Sequence, residues 1–83
     1  MVVKIFTKKD CPKCPPAKEL ALKLKEKGVD ISLYDLETAD GLAEASMYDV
    51  MGTPTIVIAD DQGEEKKSFR GVVPSKEEVE GVL

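Results

Sequence analysis

The chain has 83 residues, 42% of them hydrophobic, which is enough for one small core spanning residues 1–83 and not for two. Twelve basic against sixteen acidic side chains give a net charge of −4, which argues against a nucleic-acid surface, where clustered cations are expected. The longest apolar run, Thr55 to Ala59, is far too short to cross a membrane, and Lys4 interrupts Met1-Val2-Val3 before it can act as a signal segment, so a cytoplasmic location is expected.

In chain order, Val2 to Phe6 reads as a first strand and Thr7 to Asp10 as a polar loop. The prolines at 12, 15 and 16 mark the start of a helix near Cys11-Pro12-Lys13-Cys14, because a missing N–H costs nothing in a first turn. Ala17, Leu20, Ala21 and Leu24 then form one apolar stripe at i, i+3, i+4 and i+7, and Gly28 stops the helix. Val29, Ile31 and Leu33 alternate in a second strand that ends near Asp35, with all three expected on the inward face.

Ala39 to Tyr48 reads as a weaker helix with Leu42, Ala45 and Met47 inward. Thr55 to Ala59 is the pattern of a strand covered on both faces, Asp60 to Gly63 a turn, and Glu64 to Phe69 a charged edge strand. Ser75-Lys76-Glu77-Glu78 is a capping box opening a terminal helix, with Val79, Val82 and Leu83 inward. The order β-α-β-α-β-β-α implies an α/β domain: a four-stranded mixed sheet, its first two strands parallel and its last two a hairpin, flanked by three helices.

The chemistry concentrates in two cysteines, the only ones in a chain without histidine. A secreted disulfide scaffold carries more cysteines and closes longer loops. Two thiols also fall short of the four ligands of a structural zinc site, so no metal and no resident cofactor is expected. A redox pair remains. Positions i and i+3 in a first helical turn bring Cα atoms to roughly 5–6 Å, within disulfide reach. Cys11, at the helix N-terminus, is the expected nucleophile, since unpaired N–H groups and the helix dipole favour its thiolate. Cys14, deeper in the helix, is the expected resolving thiol.

Between Lys8 and Lys18 there are four lysines against Asp10, a local surplus of three positive charges that leaves −7 for the rest of the chain. Such a segment stabilises an anion at Cys11 and attracts anionic thiols. Lys8 and Lys13 have the strongest claim to tuning the thiol, while Lys9 and Lys18 read as solvated surface.

Phe6-Thr7-Lys8-Lys9-Asp10-Cys11-Pro12-Lys13-Cys14 resembles the active-site segment of glutaredoxins and related redoxins. Tyr48-Asp49-Val50-Met51-Gly52-Thr53-Pro54-Thr55 resembles the thioredoxin segment that holds its cis-proline, and Phe69-Arg70-Gly71 followed by a helix resembles the thioredoxin C-terminal end. Together these cover nearly the whole chain, in order, and imply a small redoxin of the thioredoxin superfamily with a thioredoxin-like fold. From its residues alone Pro54 reads as an ordinary trans proline entering a strand; the resemblance instead implies a cis Thr53–Pro54 peptide facing the cysteines, with the Thr53 backbone pairing with an extended substrate. It further implies that Lys8 binds an anionic substrate group and lowers the thiol pKa, and that Gly71 permits close backbone approach.

Three departures stand out. No tryptophan precedes the motif, and Ile5 stands where thioredoxins bury an acid. The glycine pair and acid with which glutaredoxins hold glutathione have no counterpart near Arg70-Gly71-Val72. The implied activity is a monomeric dithiol–disulfide oxidoreductase acting on protein disulfides. Its external reductant would be a thioredoxin-reductase-like flavoprotein or a low-molecular-weight thiol. Two rivals are an iron–sulfur or metal carrier pooling four thiolates in a dimer, and a non-catalytic interaction module.

Overall fold

The computed structural model describes residues 1–83. Its elements are β1 (Val2–Thr7), α1 (Cys14–Glu26), β2 (Asp30–Asp35), α2 (Ala39–Met47), β3 (Thr55–Ala59), β4 (Glu65–Arg70) and α3 (Lys76–Glu80). The strands form one sheet in the order β2-β1-β3-β4, parallel between β1 and β2 and antiparallel at the other two pairings. The element order, the mixed sheet and the terminal hairpin are those read from the sequence.

Strand alternation sorts the core into two layers. Val3 and Ile5 of β1 and Ile56 and Ile58 of β3 meet Ala17, Leu20, Ala21 and Leu24 of α1 and Val79 of α3. On the opposite face, Phe6, Val57 and Ala59 meet Ala45, Tyr48 and Val50 in and after α2. β3 is buried along its whole length, which is why it reads as an unbroken apolar run. The capping box forms as read: Ser75 Oγ accepts from the Glu78 N–H, and the Glu78 carboxylate accepts from the Ser75 N–H.

Three expectations about inward faces fail. Leu33 lies on an edge strand and is 56% exposed; only Val29 and Ile31 of that alternating run pack against the core. Leu83 is exposed at the chain end, beyond the last turn of α3. In α2 the buried stripe is Gly41, Ala45 and Tyr48, at i, i+4 and i+7, while Leu42 and Met47 are 54% and 72% exposed. The reason is proximity. A Cβ on Gly41 would lie 1.8 Å from the Asp35 carbonyl oxygen, so α2 lies against the end of β2 at a distance that only a bare Cα permits.

Lys4, on the Phe6 face of β1, is mostly buried and fully engaged. It pairs with the Glu44 carboxylate, donates to the Tyr48 hydroxyl at 3.0 Å and lies 4.7 Å from the centre of the Tyr48 ring. The Tyr48 hydroxyl in turn donates to the Gly63 carbonyl at 2.6 Å. One polar chain therefore ties the sheet centre to α2 and to the β3–β4 turn. Burial alone pulls the Lys4 pKa down, but the bonds to Glu44 and Tyr48 and the Glu44 charge outweigh it and hold it above the ordinary lysine value.

Candidate active site

The register gathers the sequence-selected segments at one end of the sheet. Phe6 pairs with Thr55 and Thr55 with Arg70, so the loop after β1, the Thr53–Pro54 entry to β3 and the exit of β4 are neighbours. The Thr53–Pro54 peptide is cis, and the Gly71 N–H donates to the Pro54 carbonyl at 2.8 Å. Gly71 has φ +75°, a conformation glycine adopts without strain.

The loop after β1 is anchored by the segment following β2. The Thr7 carbonyl accepts from the Leu36 N–H at 2.9 Å, and the Lys9 N–H donates to the Glu37 carboxylate at 2.8 Å. Asp10, with φ +59°, turns the chain into the cysteine motif. Cys11 and Cys14 are joined as a disulfide with Cα atoms 5.3 Å apart, and the Cys14 N–H donates to the Cys11 carbonyl at 3.1 Å. The two sulfurs differ in access, for Cys14 is only 2% exposed and Cys11 is half-buried.

The helix starts later than the spacing suggests. Lys13 is its N-cap and Cys14 its first residue, so Cys11 lies in the turn that leads into α1. A helix normally has four N–H groups without intrahelical partners at this end. Here Pro15 and Pro16 have none, and that of Cys14 is spent on the Cys11 carbonyl. Only the Lys13 N–H is otherwise unengaged. The backbone therefore offers a Cys11 anion less than the sequence reading supposes, which shifts the burden to the lysines and the helix dipole.

The lysines are distributed differently from that reading. Lys8, Lys9, Asp10 and Lys18 line an open recess of about 480 Å³ around Cys11 and Cys14, whereas Lys13 is exposed and outside it. Lys18, read as plain surface, carries a signal visible in hindsight: it stands four residues after Cys14, one turn along the same helix face. Thr53 and Gly71 line a second, smaller recess of about 220 Å³ with Asp49, Met51, Gly52, Thr55 and Arg70. The Thr53 hydroxyl is buried there without a hydrogen-bond partner, while the Thr55 hydroxyl donates to the Gly52 carbonyl at 2.8 Å.

Sequence reasoning missed Arg70 and Glu37. The Arg70 guanidinium donates to the carbonyls of Tyr48 and Asp49, both at 2.9 Å, clamping the approach to Thr53; no local spacing signals a contact across more than twenty residues. Ile5 is fully buried beneath the motif, so the position that holds an acid in thioredoxins is packed with apolar groups.

A four-stranded mixed sheet with three helices, carrying a redox-active cysteine pair where the first strand meets the first helix, defines a thiol–disulfide oxidoreductase of thioredoxin fold. The comparisons agree. The family model described as "Thioredoxin domain" matches residues 1–83, and the chain belongs to that family. It is 34% identical to a probable thioredoxin of Archaeoglobus fulgidus, over 84% of this chain and 87% of the relative. Among solved structures it is similar to a thioredoxin mutant from Halobacterium salinarum, with TM-score 0.82 and 24% identity over 99% of this chain and 70% of that one. It is also similar to a thioredoxin from Thermus thermophilus, with TM-score 0.68 and 25% identity over 98% and 69% of the two chains.

Proposed function

We propose that this chain acts alone, as a single-domain cytoplasmic monomer, to reduce disulfides in proteins through Cys11-Pro12-Lys13-Cys14. The observation that carries the reading is the asymmetry of the pair: two cysteines in one disulfide at the basic recess, Cys11 half-buried and Cys14 only 2% exposed. In the reduced protein the Cys11 thiolate attacks one sulfur of a substrate disulfide. The substrate S–S bond breaks, its far sulfur leaves as a thiolate and takes a proton, and a mixed disulfide with Cys11 remains. Cys14 then loses its proton and attacks the Cys11 sulfur, which releases the second substrate thiol and closes the Cys11–Cys14 disulfide. The substrate gains two electrons and two protons.

Lys8 and Lys13 favour the thiolate over the thiol by charge. Lys8 also draws an anionic partner group toward the recess. The Thr53 backbone, presented beside Pro54, pairs with an extended substrate segment in the manner of an added strand. Two electrons return from an external reductant, a thioredoxin-reductase-like flavoprotein or a low-molecular-weight thiol, so that the protein serves as an electron carrier.

The test is equilibration in defined dithiol–disulfide buffers, alkylation and mass measurement. Both thiols should disappear together in one two-electron transition, toward the reducing end of the range from about −270 to −120 mV. Cys11→Ser should abolish turnover, and Cys14→Ser should accumulate mixed disulfides with protein substrates. Failure to form the intramolecular disulfide, or a Cys14→Ser protein as fast as the parent, would overturn the dithiol cycle. The first outcome would give the lead to a cluster or metal carrier.

A further inference from the structure

The two edges of the sheet are treated differently. β4 is blunted by Glu65, Lys66, Lys67 and Arg70 and by an irregular register at Ile58/Ala59, the usual guards against unwanted strand pairing. β2, the other edge, carries no charge between Asp30 and Asp35, where it reads Ile-Ser-Leu-Tyr. Beside it, between β2 and α1, runs a groove of about 260 Å³ floored by Ala21 and Ile31 and walled by Leu22 and Leu33, which are 63% and 56% exposed. Lys18 and Lys25 stand in the same groove, and the five ion pairs of the molecule involve neither. No acid lines it, although the chain carries a net −4. Lys18 also lines the disulfide recess, so the two surfaces are continuous.

We propose that the β2 edge and this groove form a docking strip for an extended, acidic segment of a protein that exchanges disulfides at Cys11. The segment adds as a strand beside β2, through the unpaired backbone of that edge. Its spacing follows from geometry. Lys18 and Lys25 are seven helical residues apart, about 10 Å along α1. Two strand residues four apart on the same face are separated by about 13 Å, within reach of flexible lysine side chains. The strip therefore fits the pattern acid-x-apolar-x-acid, with the apolar residue between Leu22 and Leu33 and each acid at one lysine. The opposed charges also orient the partner's approach toward the recess. Docking here rests on the redox reading only in the partner's identity; binding itself requires no exchange.

The probe is a capped peptide containing Glu-Thr-Leu-Thr-Glu between serine flanks, titrated into the ¹⁵N-labelled oxidised protein, where no thiol can react. Amide shifts should concentrate at Ile31 to Tyr34 and along Lys18 to Lys25. Leu33→Glu and Lys25→Glu should each weaken binding at least fivefold, as should replacing both peptide glutamates by lysine. Both side chains are exposed, so the variants should fold, and their reduction of a small neutral disulfide should match the parent. Shifts confined to Lys8, Lys9 and Cys11, or no binding at millimolar peptide, would overturn the proposal. So would self-association through β2, seen as concentration-dependent sedimentation with the same shifts in the absence of peptide. Normal docking by a protein inert toward disulfides would instead sink the redox reading and leave the strip standing.

Discussion

Gly41→Ala sets two quantifiable effects against each other. Inside a helix, replacing glycine by alanine ordinarily gains about 1 kcal/mol. Here the new Cβ would sit 1.8 Å from the Asp35 carbonyl oxygen and 2.6 Å from its carbon, backbone atoms that cannot rotate away. Relief to 3.0 Å requires α2 and the end of β2 to separate by about 1.2 Å. That motion pulls on three bonds: Thr38 N–H to the Asp35 carbonyl at 3.0 Å, Thr38 hydroxyl to the same carbonyl at 2.7 Å, and Gly41 N–H to the Thr38 hydroxyl at 3.0 Å. At about 1 kcal/mol each, and with about 1–3 kcal/mol for overpacking, the losses exceed the propensity gain. The net destabilisation should be about 3–5 kcal/mol, a large part of the stability of so small a domain.

Urea unfolding followed by circular dichroism measures it, with Ala43→Gly on the exposed side of α2 as the propensity control, expected to cost about 1 kcal/mol. Because the segment after Asp35 anchors Thr7 and Lys9, Gly41→Ala should also perturb the amide resonances from Thr7 to Asp10. A Gly41→Ala protein as stable as the parent would refute the close approach of α2 to β2.

Charge reversal at Lys8 and at Lys13 should each raise the Cys11 thiol pKa, on the order of half a unit, read from the pH dependence of alkylation of the reduced protein. The Lys8→Glu effect should be the larger, since Lys8 lines the recess and Lys13 does not; the reverse order would contradict that placement. Glu44→Gln removes the charged partner of the mostly buried Lys4 and should cost about 2 kcal/mol in urea, below the range for fully buried pairs because both side chains keep some water.

The same pair sets an alkaline limit. The Lys4 pKa is raised in the folded state, so its contribution is complete below the unfolded value near 10.4 and is lost as pH climbs through the folded value. Thermal midpoints of the parent should fall there, and those of Glu44→Gln should fall less. Ser75→Ala should lose about 1 kcal/mol with its cap; an unchanged urea midpoint would mean that α3 does not depend on its capping box.

Much of this molecule is decided locally. The unbroken apolar run at Thr55 to Ala59 requires a strand enclosed on both faces, the stripe from Ala17 to Leu24 can only be one helix face, and Ser75 with Glu78 writes a helix start into four residues. The cysteine spacing likewise sets disulfide reach before any tertiary contact exists.

What tertiary structure alone decided is which neighbour each element meets. Local hydrophobicity puts Leu42 and Met47 inward, but the close approach of α2 to the end of β2 favours the smallest residue, so Gly41 and Ala45 take the interface and the larger side chains face water. Leu33 is apolar and alternating, yet its strand lies at the edge, a fact set by sheet order and not by the strand's own sequence. The basic recess depends on which lysines the turn into α1 brings around the sulfurs. Net charge counts Lys13 and Lys18 alike, while the fold places only Lys18 of the two on the lining of the recess. Periodicity and spacing act within a few residues along the chain; faces, edges and cavities arise between segments dozens of residues apart, where only packing chooses.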